Sequence, residues 1–390
     1  MKKYRNLLMN VKMILVMISF LFIFLPSLFA AEPIPVCLTA DYSGVNGHAG
    51  IVQTKVIEMY MKNVNAAGGI KGRPIKLIIQ DNGGDPSKAL GIAKMFKDQY
   101  KCKVMLVDLS SSVCLALKPF GDANKIPMIA AAPQTEKLTV LNQKAWFFRT
   151  TAPAGAFVRA ALVRVKNLGH TKIAYAGTTQ AWGTDTLAQI KDFAPRYGLQ
   201  LVHEVLSDPR TKDHTIQTRK MMSSGATAIV LCDFEAENAS WARAIAATDS
   251  KPYVIHTSAS MLGSAVALVD PRLVEGWETV SFADASRPIA KKVWTEANKY
   301  TGGNPIVEED EKALKAYDAA GVLVEALKVA TNLDDSTAIR DAIYNINPNW
   351  EHATGKAGSK GPFTTAKNNL ADFDDFSTYV IRNGKMVVVK

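Results

Sequence analysis

The stretch IKLIIQDNGGDPSKALGIAKMFKDQYKCKVMLVDLSSS, residues 75–112, decides how the chain folds. Ile75–Gln80 is an apolar run that predicts a strand. It stops at Asp81-Asn82-Gly83-Gly84, which is dense in turn formers. Asp85 stands where a helix N-cap belongs, and a helix is expected over Pro86–Tyr100. Val104–Val107 is a second strand, and Ser110-Ser111-Ser112 leads into a helix over Ser112–Ala123. Strands separated by helices argue for a parallel sheet covered on both faces.

The same alternation extends in both directions. Upstream, Ile34–Ala40 predicts a strand and Ala49–Ala67 a helix, with Val52, Val56, Met59, Tyr60 and Val64 on its apolar side. Gly68–Pro74 is a turn, and Pro127–Ala131 is the last strand of this first cycle. A second cycle begins after Phe147-Phe148-Arg149-Thr150. Helices are expected over Ala154–Asn167, Thr184–Tyr197, Thr215–Ser223 and Asn238–Thr248, with a short one over Leu262–Val269. Strands are expected over Lys172–Ala176, Leu201–Leu206, Ala228–Cys232 and Tyr253–His256. Pro288–Ile346 reads as mostly helical, notably Glu309–Thr331. The tail reads as a hairpin of Ser377–Ile381 and Met386–Val389 turning at Asn383-Gly384. Two α/β units of similar size follow. Lobe one is expected to hold 32–150 and 281–362, lobe two 151–280 and 363–390.

The first 31 residues read as a secretory signal: a basic start to Lys12, an apolar run from Met13 to Pro26, and small residues for cleavage near Ala30 and Ala31. A single membrane anchor is the alternative, since Met13–Ala31 is uncharged and near the spanning minimum. Lys2, Lys3, Arg5 and Lys12 account for part of the net charge. Without them 42 bases face 36 acids, a net +6 with no basic run, so no nucleic-acid footprint is present. The chain is 48% hydrophobic and 21% charged, a globular composition. An exported chain permits disulfides. Cys102 and Cys114 are near enough in sequence to pair, whereas Cys37 and Cys232 lie in apolar runs that suit buried cysteine.

Enzyme signatures are missing. There is no GxSxG elbow, no HExxH, no GxxxxGK[ST], and no GxGxxG after the first strand. His48, His170, His203, His214, His256 and His352 have no metal-ligand spacing, so neither metal nor cofactor is expected. Asp81 and Asp85 suit turn and cap chemistry better than acid–base work, and Asp372, Asp374 and Asp375 suit a solvated loop better than a calcium loop.

A binding site is easier to argue. In open α/β sheets ligands sit beyond the carboxyl ends of the strands. Four such loops have distinctive content: Ser110-Ser111-Ser112, Ala130 to Thr135, Gly177 to Gly183 with Trp182, and Asp233-Phe234-Glu235. Hydroxyls and amides at a helix start favour an anion. Hydroxyls in one lobe and aromatics in the other suit a ligand clamped between them.

The order of these segments resembles the periplasmic solute-binding proteins of ABC transporters of the leucine/isoleucine/valine-binding type. The resemblance rests on Pro35–Gly44, Asn65–Ile75, Asp85–Ala89, Ser110–Ser112, Ile126–Ile129 with Leu138-Thr139, Phe148–Thr150 and Trp182-Gly183. It implies the type I periplasmic binding protein fold, two Rossmann-like lobes with parallel sheets joined by three crossings. It also implies a periplasmic, non-enzymatic protein that hands a small carboxylate ligand (an amino acid or an aromatic or aliphatic acid) to an ABC permease in the inner membrane. Carried over residue by residue, Ser111, Ser112, Ala132 and Gln134 would hold the carboxylate, Gln134 standing where the family usually has Thr. Trp182 and Phe234 match aromatics of lobe two, and His48 falls near a first-loop aromatic. The acid that meets an amino-acid ammonium would fall at Ser258-Ala259-Ser260, where there is none. Asp233 or Glu235 could replace it. The family's cystine is not matched by Cys102 or Cys114. Two other readings stand beside this one: a ligand sensor for a membrane receptor, and an exported α/β hydrolase-like enzyme.

Overall fold

The computed structural model describes residues 31–107, 109–257, 269–302, 310–356 and 363–389. The expected helix over Leu262–Val269 lies, save its last residue, outside them.

Strands β1 (Ile34–Ala40), β2 (Ile75–Asp81), β3 (Met105–Val107), β4 (Met128–Ala130) and β5 (Phe147–Arg149) form one sheet in the order β2-β1-β3-β4-β5, all parallel. Helices α1 (Gly47–Ala66), α2 (Pro86–Asp98) and α3 (Ser111–Asn124) connect them. Asp85 caps α2: its Oδ1 accepts the N–H of Ser87 at 2.7 Å and of Lys88 at 3.1 Å. Its neighbour Pro86 has no N–H to lose at the first helical position.

A second sheet holds β6 (Lys172–Thr178), β7 (Gln200–Ser207), β8 (Ala228–Cys232), β9 (Tyr253–His256), β10 (Glu278–Ser281), β11 (Ser377–Arg382) and β12 (Lys385–Val388). Its order is β12-β11-β10-β9-β8-β6-β7. Helices α4 (Ala154–Asn167), α5 (Ala181–Phe193), α6 (Thr215–Ser223) and α7 (Glu235–Ala246) flank it. Its far edge is antiparallel, since β10 pairs with β11 and β11 with β12. The expectation of parallel sheets therefore holds except at this hairpin edge, where the tail returns by a tight turn instead of a crossover. Strands β5 and β10 were not anticipated. Each is short, and a run of three or four residues carries too little periodicity to be separated from a loop.

Helices α8 (Pro288–Thr301), α9 (Glu311–Val329) and α10 (Ser336–Ile343) share a core with α1 and the first sheet: Val52, Val56, Trp294, Leu314, Leu323 and Ile343 are among its buried members. On the opposite face Phe96, Val113, Leu117 and Met128 pack with α2 and α3. The second sheet is likewise covered on both sides, by Phe157, Leu162 and Ile190 on one and by Trp241, Ile245 and Met221 on the other. The chain changes core three times: between Phe148 and Ala152, between Phe282 and Ala283, and between Leu370 and Ala371. Among the described residues no helix is long and apolar enough to cross a membrane.

The pairing of Cys102, left open by the sequence, is decided, and the reading of Cys37 as a simple buried cysteine is corrected. Cys102 is bonded to Cys37, not to Cys114, with Cα atoms 6.1 Å apart. Cys37 is central in β1, whose neighbour β3 begins just after Cys102, so sheet pairing carries the two thiols together across 65 residues. Cys114 on α3 and Cys232 on β8 are buried and lie outside the disulfide.

Candidate functional site

A cavity of about 280 Å³ opens between the two sheets, at the carboxyl ends of their parallel strands. Each wall traces to one strand-to-helix loop. After β1, Asp41 accepts the N–H of Gly44 at 2.6 Å and of Asn46 at 3.0 Å, a tight turn that presents Asn46 and His48 to the cavity. Gly50 is needed there, because a Cβ would lie 1.8 Å from the carbonyl oxygen of Asp41. After β3 come Leu109, Ser110 and Ser111, and after β4 come Ala132 and Gln134. From the second sheet the β6 loop brings Gln180 and Trp182, and the β8 loop brings Phe234, Glu235 and Ala236. Gly183 lets α5 sit close on β6, since a Cβ would come within 2.2 Å of the Thr178 carbonyl oxygen.

The Ser111 and Gln134 end is polar. Ser111 Oγ accepts the backbone N–H of Gln134 at 3.0 Å and of Thr135 at 3.3 Å. A hydroxyl that accepts from two amides keeps its own proton for another acceptor. Gln134 is buried, and its Oε1 has no hydrogen-bond partner. An unpaired carbonyl oxygen calls for a donor; a carboxylate at this wall would be met by the NH2 group of the same side chain. The loop is locked from below by Arg149, which is fully buried. Its guanidinium donates to Thr135 O at 2.7 Å, to Pro133 O at 3.4 Å and to Thr139 Oγ1 at 2.6 Å. Burial pulls the Arg149 pKa down to about 10, with Glu136 and Asp185 opposing.

The opposite end is aromatic. Trp182 and Phe234 meet edge to face with ring centroids 5.3 Å apart. Helix α9 supplies the remaining wall through Lys312 and Lys315. Lys315 is 3% exposed, pairs with Glu311, and lies 5.4 Å from the ring centroids of both Phe157 and Phe282. Lys312 pairs with Glu235.

Of the residues expected from sequence, His48, Ser111, Ala132, Gln134, Trp182 and Phe234 line this one cavity. Ser112 does not line it; its Oγ accepts the N–H of Ala181 at 3.3 Å and so joins α3 to the start of α5. Ser258 lies outside the described residues. Lys312 and Lys315 escaped sequence reasoning, because Glu311 and Lys315 at helical spacing read as an ordinary surface pair. Nothing local marks a helix that follows the second βα cycle as a wall of the cleft. Among the described residues no cluster of His, Cys, Asp and Glu could hold a metal ion.

A profile for the periplasmic binding proteins matches residues 33–371. The chain belongs to that family. Its members bind solutes and are not enzymes. This periplasmic binding protein is 24% identical, over 322 residues, to the Leu/Ile/Val-binding protein homolog 3 of Brucella melitensis; the match spans 82% of this chain and 85% of the relative. Among solved structures it resembles an extracellular ligand-binding receptor from Rhodopseudomonas palustris, with a TM-score of 0.81 at 18% identity over 92% of this chain and 100% of the other. A solute-binding protein of an ABC transporter from R. palustris in complex with benzoate gives a TM-score of 0.76 at 17% identity, covering 92% and 96%. A leucine-binding protein from Thermotoga maritima gives 0.76 at 18%, covering 92% and 98%. These structures share the two-sheet type I fold.

Proposed function

We propose that this chain is the exported binding subunit of an ABC importer, closing on a small carboxylate ligand and delivering it to a permease in the inner membrane. The observation that carries this is one cavity with the Ser111 hydroxyl and the Gln134 side-chain amide at one end and two aromatic rings at the other, each end supplied by a different sheet. The carboxylate sits at Ser111 and the side-chain NH2 of Gln134, beside the Ala132 backbone, with Ser112 completing the seam and Ser258 kept as an expected ligand contact. Trp182, Phe234 and His48 hold the body of the ligand. Following the cores, the expected boundaries at 281 and 363 move to 283 and 371: lobe one comprises 32–150 and 283–370, lobe two 151–282 and 371–390, because Phe363 and Leu370 pack with the first sheet and Phe282 with the second. Residues 1–31 are the export signal, cut near Ala30 and Ala31. The relatives named for leucine-type amino acids and for benzoate both fit a ligand with one carboxylate.

A thermal-shift screen across amino acids, aromatic acids and aliphatic acids tests the reading. A ligand at 100-fold its dissociation constant adds about 2.7 kcal/mol of stability. A screen in which no carboxylate raises the melting temperature, while a sugar or a cation does, defeats it.

A further inference from the structure

Among the described residues that line the cavity, Glu235 carries the single carboxylate. It stands at the first position of α7, one residue after Phe234. Its Oε1 accepts a hydrogen bond from Lys312 Nζ, which arrives from α9 across 77 residues of sequence and across the cleft. The two side chains are 15% and 17% exposed, so the pair is largely removed from water. Burial works against the charge on Lys312, but Asp310 and Glu235 outweigh it and hold the ammonium above the usual lysine range. Asp233, the other acid near this loop, is fully buried and does not line the cavity. Its Oδ2 accepts from Trp241 Nε1 at 3.0 Å and from Ser207 Oγ at 3.3 Å, and its Oδ1 from the Phe234 N–H at 3.0 Å. Lys315 lines the cavity as well, while its partner Glu311 does not.

We propose that Lys312 sets the ligand class: by pairing with Glu235 across the cleft it withdraws that carboxylate from service as an ammonium partner, so the site takes carboxylic acids that lack an α-ammonium. This rests on the carboxylate-binding reading above and narrows it. An amino acid would bring its ammonium into a wall that already holds two lysines, with no spare carboxylate among the described lining residues to receive it. A buried charge without a partner is strongly disfavoured. Selectivity then comes from refusing the competitor as much as from gripping the ligand. A des-amino acid carries no such group, and its apolar or aromatic body packs on Trp182 and Phe234.

Titration calorimetry with two matched pairs tests this: phenylalanine against 3-phenylpropanoate, and leucine against 4-methylpentanoate. The unaltered protein binds the des-amino member of at least one pair 100-fold or more tighter. Lys312→Met frees Glu235 and cuts that ratio at least tenfold by improving the amino acid. The double variant Lys312→Met/Glu235→Gln restores the ratio, and Lys312→Arg, which keeps the ion pair, behaves as the unaltered protein. An unaltered protein that prefers the amino acid overturns the proposal. So does a folded Lys312→Met protein with an unmoved ratio. If Lys312→Met does not fold, Glu235→Gln carries the test: it leaves Lys312 with Asp310 alone, 4.0 Å away, adds a net positive charge beside the cavity and tightens the des-amino acid at least tenfold, and unchanged affinity overturns the proposal. If none of the four compounds binds while a ligand without a carboxylate does, the broader function fails and this inference falls with it.

Discussion

Ser111 Oγ accepts the backbone N–H of Gln134 at 3.0 Å, so one hydroxyl joins the first turn of α3 to the loop after β4. That bond shapes the polar end of the cleft and leaves the serine proton free to be donated, on our proposal to a ligand carboxylate. Ser111→Ala removes both services. Affinity for a carboxylate is expected to fall roughly tenfold or more, since a hydrogen bond to a charged group is worth about 1.5–3 kcal/mol. Stability falls as well, by about 1–3 kcal/mol, because the buried Gln134 N–H loses its acceptor. Calorimetric titration and a melting curve read the two effects separately; unchanged affinity removes Ser111 from the site.

Arg149 holds the same loop from beneath, through Thr135 O at 2.7 Å and Thr139 Oγ1 at 2.6 Å. Lysine cannot span both acceptors with one ammonium. Arg149→Lys is expected to cost on the order of 2–3 kcal/mol in urea unfolding and to weaken binding without touching the ligand. If binding is unchanged while stability drops, the loop keeps its shape without the guanidinium.

The Cys37–Cys102 bond closes a loop of 65 residues. Chain-entropy arguments put its contribution at about 4 kcal/mol, acting mainly on the unfolded state. Denaturant unfolding with and without a thiol reductant should differ by an amount of that order. A Cys114→Ala protein should retain the full reductant sensitivity, because the bond joins Cys37 and Cys102.

His256 is fully buried in β9, and neither ring nitrogen has a hydrogen-bond partner. Burial pushes its pKa down to about 3. Unfolded, the same ring takes up a proton near pH 6.5. Between those values the unfolded chain binds the extra proton, so stability is complete above about pH 6.5 and is lost progressively as pH falls toward about 3. His214, pushed down to about 4 mainly by burial, acts in the same direction. Asp233, raised by burial to about 7, acts oppositely, favouring the fold as pH falls from about 7 toward 4. A difference measurement isolates one group. The His256→Leu protein should lose less stability than the parent between pH 6.5 and 4, and parallel curves would contradict the burial argument.

The alternation of apolar runs with helical patterns is local, and the first sheet's β1–β4 and the second sheet's β6–β9 could be read from it. The Asp85 cap, the helices over Ala154–Asn167 and Thr215–Ser223, and the strands over Ala228–Cys232 and Tyr253–His256 stand where the residues put them. Loop position followed from the same logic: once strands are parallel, every strand-to-helix loop ends at one edge, so the loops of Ser111, Gln134, Trp182 and Phe234 could be named together from the residues, while His48 came only from the family resemblance. What the chain could not announce is what meets across space. The pairing of Cys37 with Cys102 depends on β1 lying beside β3, and proximity in sequence pointed instead to Cys114. The turn of Ser112 toward Ala181 depends on how α3 meets α5. Lys312 and Glu235 are ordinary charged residues on two amphipathic helices, and only the packing of α9 against the seam between the sheets makes them a largely shielded pair on the cavity wall. Periodicity encodes which face a residue occupies; it carries no information about which distant face lies opposite, and that is set by the three chain crossings.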